Sequence, residues 1–584
     1  MIHREDEAAR RAADRAARRD AQTMFGPPLL VEAGAGTGKT SVLVARVLAW
    51  CLGPGWQRSR DALAARGDAD DDRIAERVLE RVTAITFTEA AAAQMERRIG
   101  QGLRALAAGA EALPHGLERE ALPAPELWVP RSRALLASFD RLHVSTIHAW
   151  CRRLLAKHPI EAGVHPRFAV DERGLARARA AREAVETWLV EAGTRRDPAL
   201  VELVAGGVAA PELEEMLIAL LADAVPASTF RPDPVAPERI ATLVARLRHA
   251  ALRFVDAEAG CLARLPANAR GREVATAVQR ALSLLDAARP RDAVELARLL
   301  DAIRESGADW ESALERLRKW GLDGWNGSER AAAKDRVPPI SAAAADLAPL
   351  LRHAFSLEPI LLERLHAVLH PLLARAEARL RGAGAESFDA LLRRTQDLLE
   401  RHPEVSARLR AGIDQLLVDE FQDTDAVQCA IVERLALREL PPGTAGPGLF
   451  VVGDPKQSIY GWRNADLAAY QAFRDRLEAA GGELRRLCVN RRSSQLLLDE
   501  VARVIAPAMV EVRGVQPVFE DLLAAPADGD AAPPTGALEY WISSDCDGAG
   551  RLAPTRSRVA TEREATHLAD DLLRAAREGG WAWR

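Results

Sequence analysis

LLVDEFQDT, at residues 416–424, and LFVVGDPKQSIYGWRNAD, at residues 449–466, each begin with an apolar run that ends abruptly in carboxylates, glycine and polar residues. A short apolar run of this kind predicts a strand buried on both faces, which is typical of a parallel sheet. Acids that directly follow such a strand lie at the carboxyl edge of the sheet, where open α/β folds bind their ligands. The two stretches therefore predict an α/β fold with a ligand site at the ends of these strands.

A glycine-rich segment near the N-terminus supplies the phosphate loop that such acids would serve. AGAGTGKT, at residues 33–40, follows the apolar run 29–31 and precedes a helical pattern at 41–52. Glycines let backbone N–H groups surround a pyrophosphate, and the helix N-terminus adds its dipole. The strict P-loop pattern has glycine where Ala33 stands, a departure that still permits a tight turn. The predicted nucleotide-binding residues are Ala33, Gly34, Ala35, Gly36, Thr37, Gly38, Lys39, Thr40 and Ser41.

Lysine usage supports this prediction. The chain has only five lysines among its 79 basic residues, and two of them, Lys39 and Lys456, lie inside these motifs. A compact ammonium group is not interchangeable with a guanidinium at a phosphate. Lys39 is predicted to contact the β- and γ-phosphates, with Thr40 as a ligand of Mg²⁺.

Length and composition limit the class of protein. A chain of 584 residues with 48% hydrophobic residues is long enough for several domains. Its net charge of −5 means that any nucleic-acid contact must come from a local groove. The six cysteines form no CxxC pair, which argues against a disulfide framework or zinc ribbon and favours a reducing cytoplasm. No apolar run reaches membrane length, and the charged N-terminus is not a signal peptide, so no membrane contact is expected.

The pattern along the chain predicts three parts. Further strands are predicted at 82–87 and 143–147, each opening a helix, with a loop-like stretch at 53–72. Residues 164–386 are helical in pattern with no strand pattern, and a strand at 538–542 and a helix at 561–577 follow near the end. We therefore expect a first domain formed by residues 1–163 and 386–489, an all-α insertion at 164–385, and the start of a second domain at 490–584.

Six motifs in order carry a family resemblance: AGAGTGKT, TFTEAAAAQM, STIHAW, VDEFQDT, GDPKQSIYGWR and NRRS at 490–493. The chain resembles superfamily 1 DNA helicases of the UvrD/Rep type. Lys456 beside Gln457 and the helical insertion look more like the RecB and AddA motor subunits of recombination helicase–nucleases. The resemblance is strong over residues 20–165 and 385–500, and it implies a RecA-like first domain and the start of a second.

The resemblance implies a role for several residues of the nucleotide site. Asp419 would complete the Mg²⁺ shell, and Glu420 would orient or deprotonate the attacking water. Gln457 would sense the γ-phosphate, and Arg492 would stabilise charge in the transition state. Arg491 stands where the family commonly has an aromatic residue, and its planar guanidinium could still stack on adenine. Gln22 lacks the context of an adenine-reading glutamine.

The resemblance also implies DNA contacts. Phe87 and Trp462 occupy positions where family members stack single-stranded bases, and Tyr460 is nearby. Thr86, Thr146 and His148 are predicted to contact the DNA backbone. The alternative for the aromatic residues is a place in the core, and the alternative for His148 is a buried histidine whose partners lie within the protein.

Together these features predict an ATP-dependent DNA helicase or translocase that moves 3′→5′ on single-stranded DNA in repair or recombination. Its expected cofactors are ATP and Mg²⁺, and its expected partners are single-stranded DNA, duplex with a 3′ tail, and a second helicase/nuclease subunit. The later helicase motifs have no counterpart before residue 584. From the sequence we therefore expect weak Mg²⁺–ATP binding, little DNA-stimulated ATP hydrolysis, no unwinding by this chain and an exposed apolar surface near its end. The alternatives are a UvrD-like stand-alone helicase and an ATP- and DNA-binding fragment without unwinding activity.

Overall fold

The computed structural model describes residues 2–109, 113–230, 233–306, 309–437, 446–461, 464–526, 545–546, 552–553 and 557–577. The predicted DNA contact Trp462 and the predicted strand at 538–542 lie outside these ranges. No helix among the described residues is both long and apolar enough to cross a membrane.

The strands follow one another as β1 Leu29–Ala33, β2 Val82–Thr86, β3 His143–Thr146, β4 Ala169–Val170, β5 Ala385–Glu386, β6 Gln415–Val418, β7 Gly448–Gly453, β8 Glu483–Leu487, β9 Val489–Asn490, β10 Leu523–Ala524, β11 Asp545–Cys546 and β12 Leu552–Ala553. Short 3₁₀ helices occupy Arg119–Ala121, Phe139–Arg141, Leu262–Arg264, Lys334–Arg336, Phe421–Asp423 and Pro455–Gln457.

The α-helices of the N-terminal part are α1 Ile2–Thr23, α2 Lys39–Leu52, α3 Pro54–Ala64, α4 Asp71–Glu80, α5 Glu89–Ala107, α6 Pro125–Ala137 and α7 Ile147–Lys157. Those of the middle part are α8 Leu175–Arg195, α9 Pro198–Ala205, α10 Ala210–Ala222, α11 Pro237–Glu258, α12 Arg270–Ala287, α13 Ala293–Arg304, α14 Trp310–Gly321, α15 Gly327–Ala333, α16 Val337–Ser356 and α17 Pro359–Ala383. The remaining helices are α18 Phe388–Arg401, α19 Pro403–Gly412, α20 Ala426–Ala436, α21 Leu467–Ala479, α22 Gln495–Ile505 and α23 Ser557–Arg577.

A six-stranded parallel sheet forms the centre of the α/β part of the structure, with strand order β3-β2-β6-β7-β1-β8. The strands β1, β2, β6 and β7 are buried along their whole length, which the apolar runs in β1, β6 and β7 predict. The P-loop strand β1 lies beside β7, in the register Leu29 to Phe450, and β7 lies beside β6. The predicted α/β fold is therefore confirmed, and β8 is an additional edge strand that the sequence did not suggest.

Alternate residues of the central strands face two helical layers. Leu29 and Val31 of β1 pack with α1–α6, whereas Leu30 packs with α7 and with helices from α18 to α21. This alternation is the two-residue period of a strand buried on both faces. Because the strands run parallel, all their carboxyl ends, and the motifs that follow them, reach the same edge of the sheet.

The helices between β4 and β5 form two hydrophobic cores of their own. One gathers α8–α10 and α17, and the other gathers helices from α11 to α16. The expectation that residues 164–386 contain no strand is wrong at the margins, because β4 and β5 pair in parallel with Ala169 opposite Ala385. The pair is only two residues long, which leaves no periodic pattern in the sequence.

The prediction of a loop-like stretch at 53–72 is also wrong. Residues Pro54–Ala64 form α3, with Pro54 in the first turn, and Trp56 is buried in the core. A proline at the first helical position lacks only an N–H that would be unpaired there anyway, so it starts the helix rather than breaking it. Asp70 then caps α4 by accepting from the N–H of Arg73.

A small second sheet begins after the central one. β9 pairs in parallel with β10, and α22 lies between them in the chain. Helix α22 exposes apolar side chains, with Leu496 at 59%, Val501 at 45% and Val504 at 46% of their full accessibility. The predicted exposure of apolar surface in this part of the chain is therefore confirmed for α22.

Candidate nucleotide-hydrolysis site

The P-loop connects β1 to α2 through two residues with left-handed backbone. Gly36 has φ +73° and Gly38 has φ +94°, values that side chains other than glycine rarely adopt. Thr37 is fully buried, and its hydroxyl donates to the carbonyl of Gly34 at 2.8 Å. The loop is thus held by its own hydrogen bonds, and Lys39, Thr40 and Ser41 form the first turn of α2. This is the strand–loop–helix arrangement that binds phosphates at a helix N-terminus.

Lys39 forms an ion pair with Glu420. The Lys39 Nζ lies 2.8 Å from Glu420 Oε2, with the lysine side chain 11% and the glutamate 35% exposed. The pair joins the start of α2 to Glu420, which comes two residues after the end of β6 and directly after Asp419. The structure therefore brings together the two motifs that the sequence separates by some 380 positions.

Glu420 adopts a left-handed backbone conformation, with φ +50°. A residue with a β-carbon pays roughly 1–2 kcal/mol for this conformation, so it persists only where its surroundings hold it. Its backbone N–H donates to Asp419 Oδ1 at 3.0 Å, and its carboxylate contacts both Lys39 and Gln422. Strain of this kind accumulates at functional sites.

Asp419 is a buried carboxylate with 6% exposure. Burial is the main cause that raises its pKa to about 7, the nearby Glu420 charge acts in the same direction, and Lys39 opposes both. Burial and Glu420 also raise the pKa of Asp423 to about 6. A divalent cation would favour the ionised form of these acids, so the predicted Mg²⁺ fits the charge of the site.

The oxygen donors of the site fit Mg²⁺. Among the described residues there is no cluster of three or more His, Cys, Asp or Glu side chains that could hold a metal alone. Mg²⁺ commonly takes one or two protein oxygens and completes its shell with phosphates and water. Asp419 and the hydroxyl of Thr40 would supply those protein oxygens.

Replacing Asp419 by asparagine is expected to stabilise the Mg²⁺-free protein at pH 8, by roughly 2–4 kcal/mol. The folded state keeps the Asp419 proton up to about pH 7, whereas the unfolded chain loses it near its ordinary pKa of 3.8. Stability from this group is therefore full at acid pH and falls as pH rises to 7. Thermal unfolding in EDTA at pH 4 and pH 8 tests this, since the variant should gain only at pH 8. Equal melting temperatures at pH 8 would contradict it.

Asp454 organises the motif that follows β7. It is 2% exposed, accepts from Gln457 Nε2 at 2.6 Å through Oδ2, and accepts from Lys456 Nζ at 3.1 Å through Oδ1. Its own N–H donates to Gln422 Oε1 at 2.8 Å. Gln457, the predicted γ-phosphate sensor, is therefore linked by hydrogen bonds to the residues that follow β6.

Asn490 places the two predicted arginines against the P-loop. Its Nδ2 donates to the carbonyl of Ala35 at 2.7 Å, and its Oδ1 accepts the N–H groups of Arg492 and Ser493 at 2.8 Å. The N–H of Arg491 donates to the carbonyl of Gly36 at 2.8 Å. A β-carbon on Gly36 would lie 2.9 Å from Arg492 Cβ, so this approach requires glycine. The structure thus brings Arg491 and Arg492 to the mouth of the P-loop.

The side chain of Gln22 is hydrogen-bonded within the protein. It is fully buried, its Nε2 donates to the carbonyl of Gly116 at 2.8 Å, and its Oε1 accepts from the N–H of Glu118 at 2.9 Å. Both ends of its amide are therefore engaged within the protein. A groove of about 560 Å³ beside the P-loop is instead lined by Asp14, Arg491 and other polar residues.

Phe87 and Tyr460 form an aromatic pair at the same edge of the sheet. Their ring centroids are 5.5 Å apart and their planes differ by 27°. Phe87 directly follows β2, and Tyr460 lies three residues after Gln457. The structure therefore joins the predicted stacking residue Phe87 to Tyr460, which was predicted to lie near the DNA, while Trp462 lies outside the described residues.

The three residues that were predicted to contact the DNA backbone are buried or half-buried. Thr86 is 1% exposed and its hydroxyl donates to the carbonyl of Thr88, so that hydroxyl is not presented to solvent. Thr146 caps α7 and donates to Glu89 Oε1 at 2.8 Å. His148 is half-buried and meets Phe388 edge-on, with centroids 5.5 Å apart. Of the three, His148 alone combines partial exposure with a neighbouring exposed aromatic ring.

Sequence reasoning missed four residues of the site: Gln422, Asp423, Asp454 and Asn490. All four lie inside motifs that were recognised. Gln422, Asp454 and Asn490 hydrogen-bond other protein groups, and Asp423 accepts from Gln422 at 3.4 Å. Their burial, at 2%, 6%, 2% and 3% exposure respectively, was the missing information. Buried polar side chains need partners, and their positions in the motifs could have suggested which ones.

A P-loop on a parallel sheet, with a Lys–Glu pair and an acid at its mouth, defines the class of P-loop nucleotide hydrolases. The family model of the UvrD/REP helicase N-terminal domain matches residues 15–319 and 327–478. The chain therefore belongs to the UvrD/REP helicase family.

Curated relatives are of the helicase–nuclease kind. The chain is 28% identical over 592 residues to an ATP-dependent helicase/nuclease subunit from Geobacillus thermodenitrificans, a match that covers 94% of this chain and 43% of that protein. It is 29% identical over 615 residues to the protein of the same description from Desulforudis audaxviator, covering 94% and 45%. A shorter match, 37% identical over 142 residues, joins 24% of the chain to 12% of the RecBCD enzyme subunit RecB of Mycolicibacterium smegmatis. The chain spans less than half of the length of these relatives.

Proposed function

We propose that this chain carries the nucleotide-hydrolysing part of an ATP-dependent DNA helicase that translocates 3′→5′ on single-stranded DNA in repair or recombination. The observation that carries the proposal is the ion pair between Lys39 and Glu420 at the mouth of the P-loop. The names of the relatives support the class of activity, and those with the longest matches are described as helicase/nuclease subunits. We therefore also propose a RecB/AddA-like protein that works with a second subunit.

The Lys39–Glu420 pair implies an order of events. While the Lys39 ammonium group holds Glu420 Oε2, that oxygen is engaged within the protein rather than with a water. The β- and γ-phosphates of ATP would compete for the ammonium group of Lys39. Glu420 would then be free to orient a water and accept its proton. Hydrolysis is thereby prepared by phosphate binding itself.

Groups from two parts of the chain would stabilise the charge that develops during phosphoryl transfer. Lys39 and Gln457 belong to the first domain, and Arg492 follows β9 at the start of the second small sheet. Mg²⁺, held through Asp419 and Thr40, would neutralise charge on the phosphate oxygens. We propose that residues 1–163 and 386–489 form the first motor domain and that residues from 490 begin the second.

DNA contact and nucleotide sensing share one loop. Gln457 ends the short 3₁₀ helix Pro455–Gln457, and Tyr460, stacked on Phe87, follows three residues later. A shift of Gln457 toward a γ-phosphate would therefore move the ring that supports a DNA base. This physical connection favours a translocating motor over a static DNA-binding protein.

Replacing Phe87 by alanine is expected to weaken binding of single-stranded DNA by roughly 1–3 kcal/mol, whatever the base sequence. The loss arises because one face of the aromatic pair with Tyr460 is removed. Fluorescence anisotropy with labelled dT and mixed-sequence oligonucleotides measures it. Phe230, which stacks on His366 in the insertion with centroids 5.1 Å apart, provides the matched control variant Phe230→Ala. Equal losses in both variants would remove Phe87 from the DNA site.

The direction of movement is tested by displacement of streptavidin from biotinylated single strands, using the protein as the cell produces it. Movement 3′→5′ releases streptavidin from the 5′ end in an ATP-dependent manner and leaves it on the 3′ end. Release from the 3′ end would reverse the proposed polarity. The rate of ATP hydrolysis at saturating nucleotide should rise when single-stranded DNA is added. An unchanged rate would contradict the motor function.

A further inference from the structure

Gln422 lies between the proposed base and the proposed γ-phosphate sensor. Its side chain is 2% exposed, and its Nε2 donates to Glu420 Oε2 at 2.9 Å. Its Oε1 accepts the backbone N–H of Asp454 at 2.8 Å. We propose that Gln422 is a positioning residue that holds Glu420 in its hydrolytic orientation and links it to Asp454, a proposal that rests on the proposed function.

The orientation of the Gln422 amide is fixed by its partners. A backbone N–H can only donate, so the end of the amide that faces Asp454 must be the oxygen. The nitrogen therefore faces Glu420, and an amide nitrogen can only donate. The direction of the hydrogen bond to Glu420 thus follows from the chemistry of the two partners.

The backbone at Gly453, the last residue of β7, packs closely against the side chain of Gln422. A β-carbon on Gly453 would lie 2.9 Å from Gln422 Oε1 and 3.2 Å from the Gln422 backbone nitrogen. The carbonyl of Gln422 also accepts from the hydroxyl of Ser458 at 2.9 Å. Gln422 is thus fixed against the end of β7 and against the loop that carries Gln457.

Gln422 matters most once a nucleotide has bound. Two side chains hold the Glu420 carboxylate, the ammonium group of Lys39 and the amide of Gln422. Phosphate binding would draw Lys39 away, and the hydrogen bond from Gln422 would then remain. Because the left-handed backbone of Glu420 is strained, loss of this contact leaves the carboxylate free to leave its position.

The link to Asp454 places the base and the sensor on one hydrogen-bonded unit. The carboxylate of Asp454 accepts from Gln457 Nε2 and from Lys456 Nζ, and the N–H of Asp454 donates to Gln422. Disturbing Gln422 should therefore impair the chemical step and leave ground-state nucleotide binding intact. The expected signature is a lower kcat with an unchanged KM for ATP.

Three variants separate this role from general stability. Gln422→Ala removes the hydrogen bonds to Glu420 and Asp454, together with a longer one of 3.4 Å to Asp423 Oδ2. Gln422→Glu keeps an acceptor for the N–H of Asp454 but replaces the donor to Glu420 with a second negative charge. Gly453→Ala leaves Gln422 unchanged in sequence and displaces its side chain. Gln428, which is 7% exposed and donates to Asp425 in α20, supplies the control Gln428→Ala.

ATP hydrolysis is measured at saturating single-stranded DNA, together with binding of Mg²⁺–ADP and of Mg²⁺–ADP–aluminium fluoride, which imitates the transition state. We expect each of the three variants to lower kcat roughly 10- to 100-fold, since a displacement of about 1 Å can cost 10²-fold. They should also lose the preference for the aluminium fluoride complex and bind Mg²⁺–ADP normally. Gln428→Ala should behave as the unchanged protein.

Failure of this inference can be distinguished from failure of the proposed function. If Glu420→Gln abolishes hydrolysis while Gln422→Glu keeps a near-normal kcat, the positioning role is overturned and the function stands. If neither Glu420→Gln nor Lys39→Ala slows hydrolysis, the proposed function is wrong. Should Gln422→Ala not fold, Gln422→Glu and Gly453→Ala decide, and a fall in ADP affinity equal to the fall in kcat would also refute the positioning role.

Discussion

Replacing Lys39 by alanine is expected to slow ATP hydrolysis by roughly 10³-fold, while single-stranded DNA binds almost as before. Lys39 is the group that would meet the β- and γ-phosphates, and no DNA contact is assigned to it. Its partner Glu420 would lose the cation that lies 2.8 Å away. Single-turnover hydrolysis of ATP and anisotropy with a labelled oligonucleotide measure the two activities separately.

Lys319→Ala is the matched control, because Lys319 is a surface lysine of α14 that lies 3.6 Å from Glu315. An exposed pair of this kind contributes little to stability, so hydrolysis should be unchanged. Parallel loss of hydrolysis and DNA binding in Lys39→Ala, with an intact circular dichroism spectrum, would argue against the assignment of Lys39 to the phosphates.

Replacing Glu420 by glutamine is expected to leave Mg²⁺–ATP binding near normal and to slow hydrolysis by about 10²-fold or more. The amide keeps the shape of the side chain but cannot accept the proton of the attacking water. Asp419 remains as the metal ligand, and removal of the Glu420 charge removes one cause of the raised pKa of Asp419. Equilibrium binding of a fluorescent ATP analogue and steady-state hydrolysis provide the two measurements.

Glu433→Gln provides the comparison, because Glu433 is a similarly exposed glutamate of α20 that pairs with Arg476 at 2.7 Å. Its loss should have no effect on turnover. If Glu420→Gln hydrolyses ATP at the normal rate, the base must be sought elsewhere, and Asp423 would be the first residue to examine.

The sequence predicted those parts of the fold that depend on continuous local patterns. The strands at 29–31, 416–418 and 449–452 are uninterrupted apolar runs, and each is a buried parallel strand in the structure. Strand β8 was not predicted because it reads ELRRL and is only partly buried at the edge of the sheet. Its place is determined by pairing with β1, which is a tertiary contact.

The same distinction explains the candidate site. Lys39 was predicted from the P-loop pattern, and Asp419 and Glu420 from the family resemblance, and the structure places the three side by side. Gln422 and Asp454 could not be predicted, because their role depends on the distance between two strand ends that adjoin only in the folded sheet. The left-handed backbone of Glu420 is likewise imposed by the fold, since glutamate has no local preference for it.

The pairing of β4 with β5 has a consequence for how this architecture can change over time. Residues 171–384 depart and return through two adjacent strands, which lie about 4.8 Å apart in any sheet. Because its two ends adjoin, a segment of this kind can differ in size without displacing the strands at its ends. Natural variation can therefore enlarge, shorten or exchange this module while the catalytic sheet keeps its geometry.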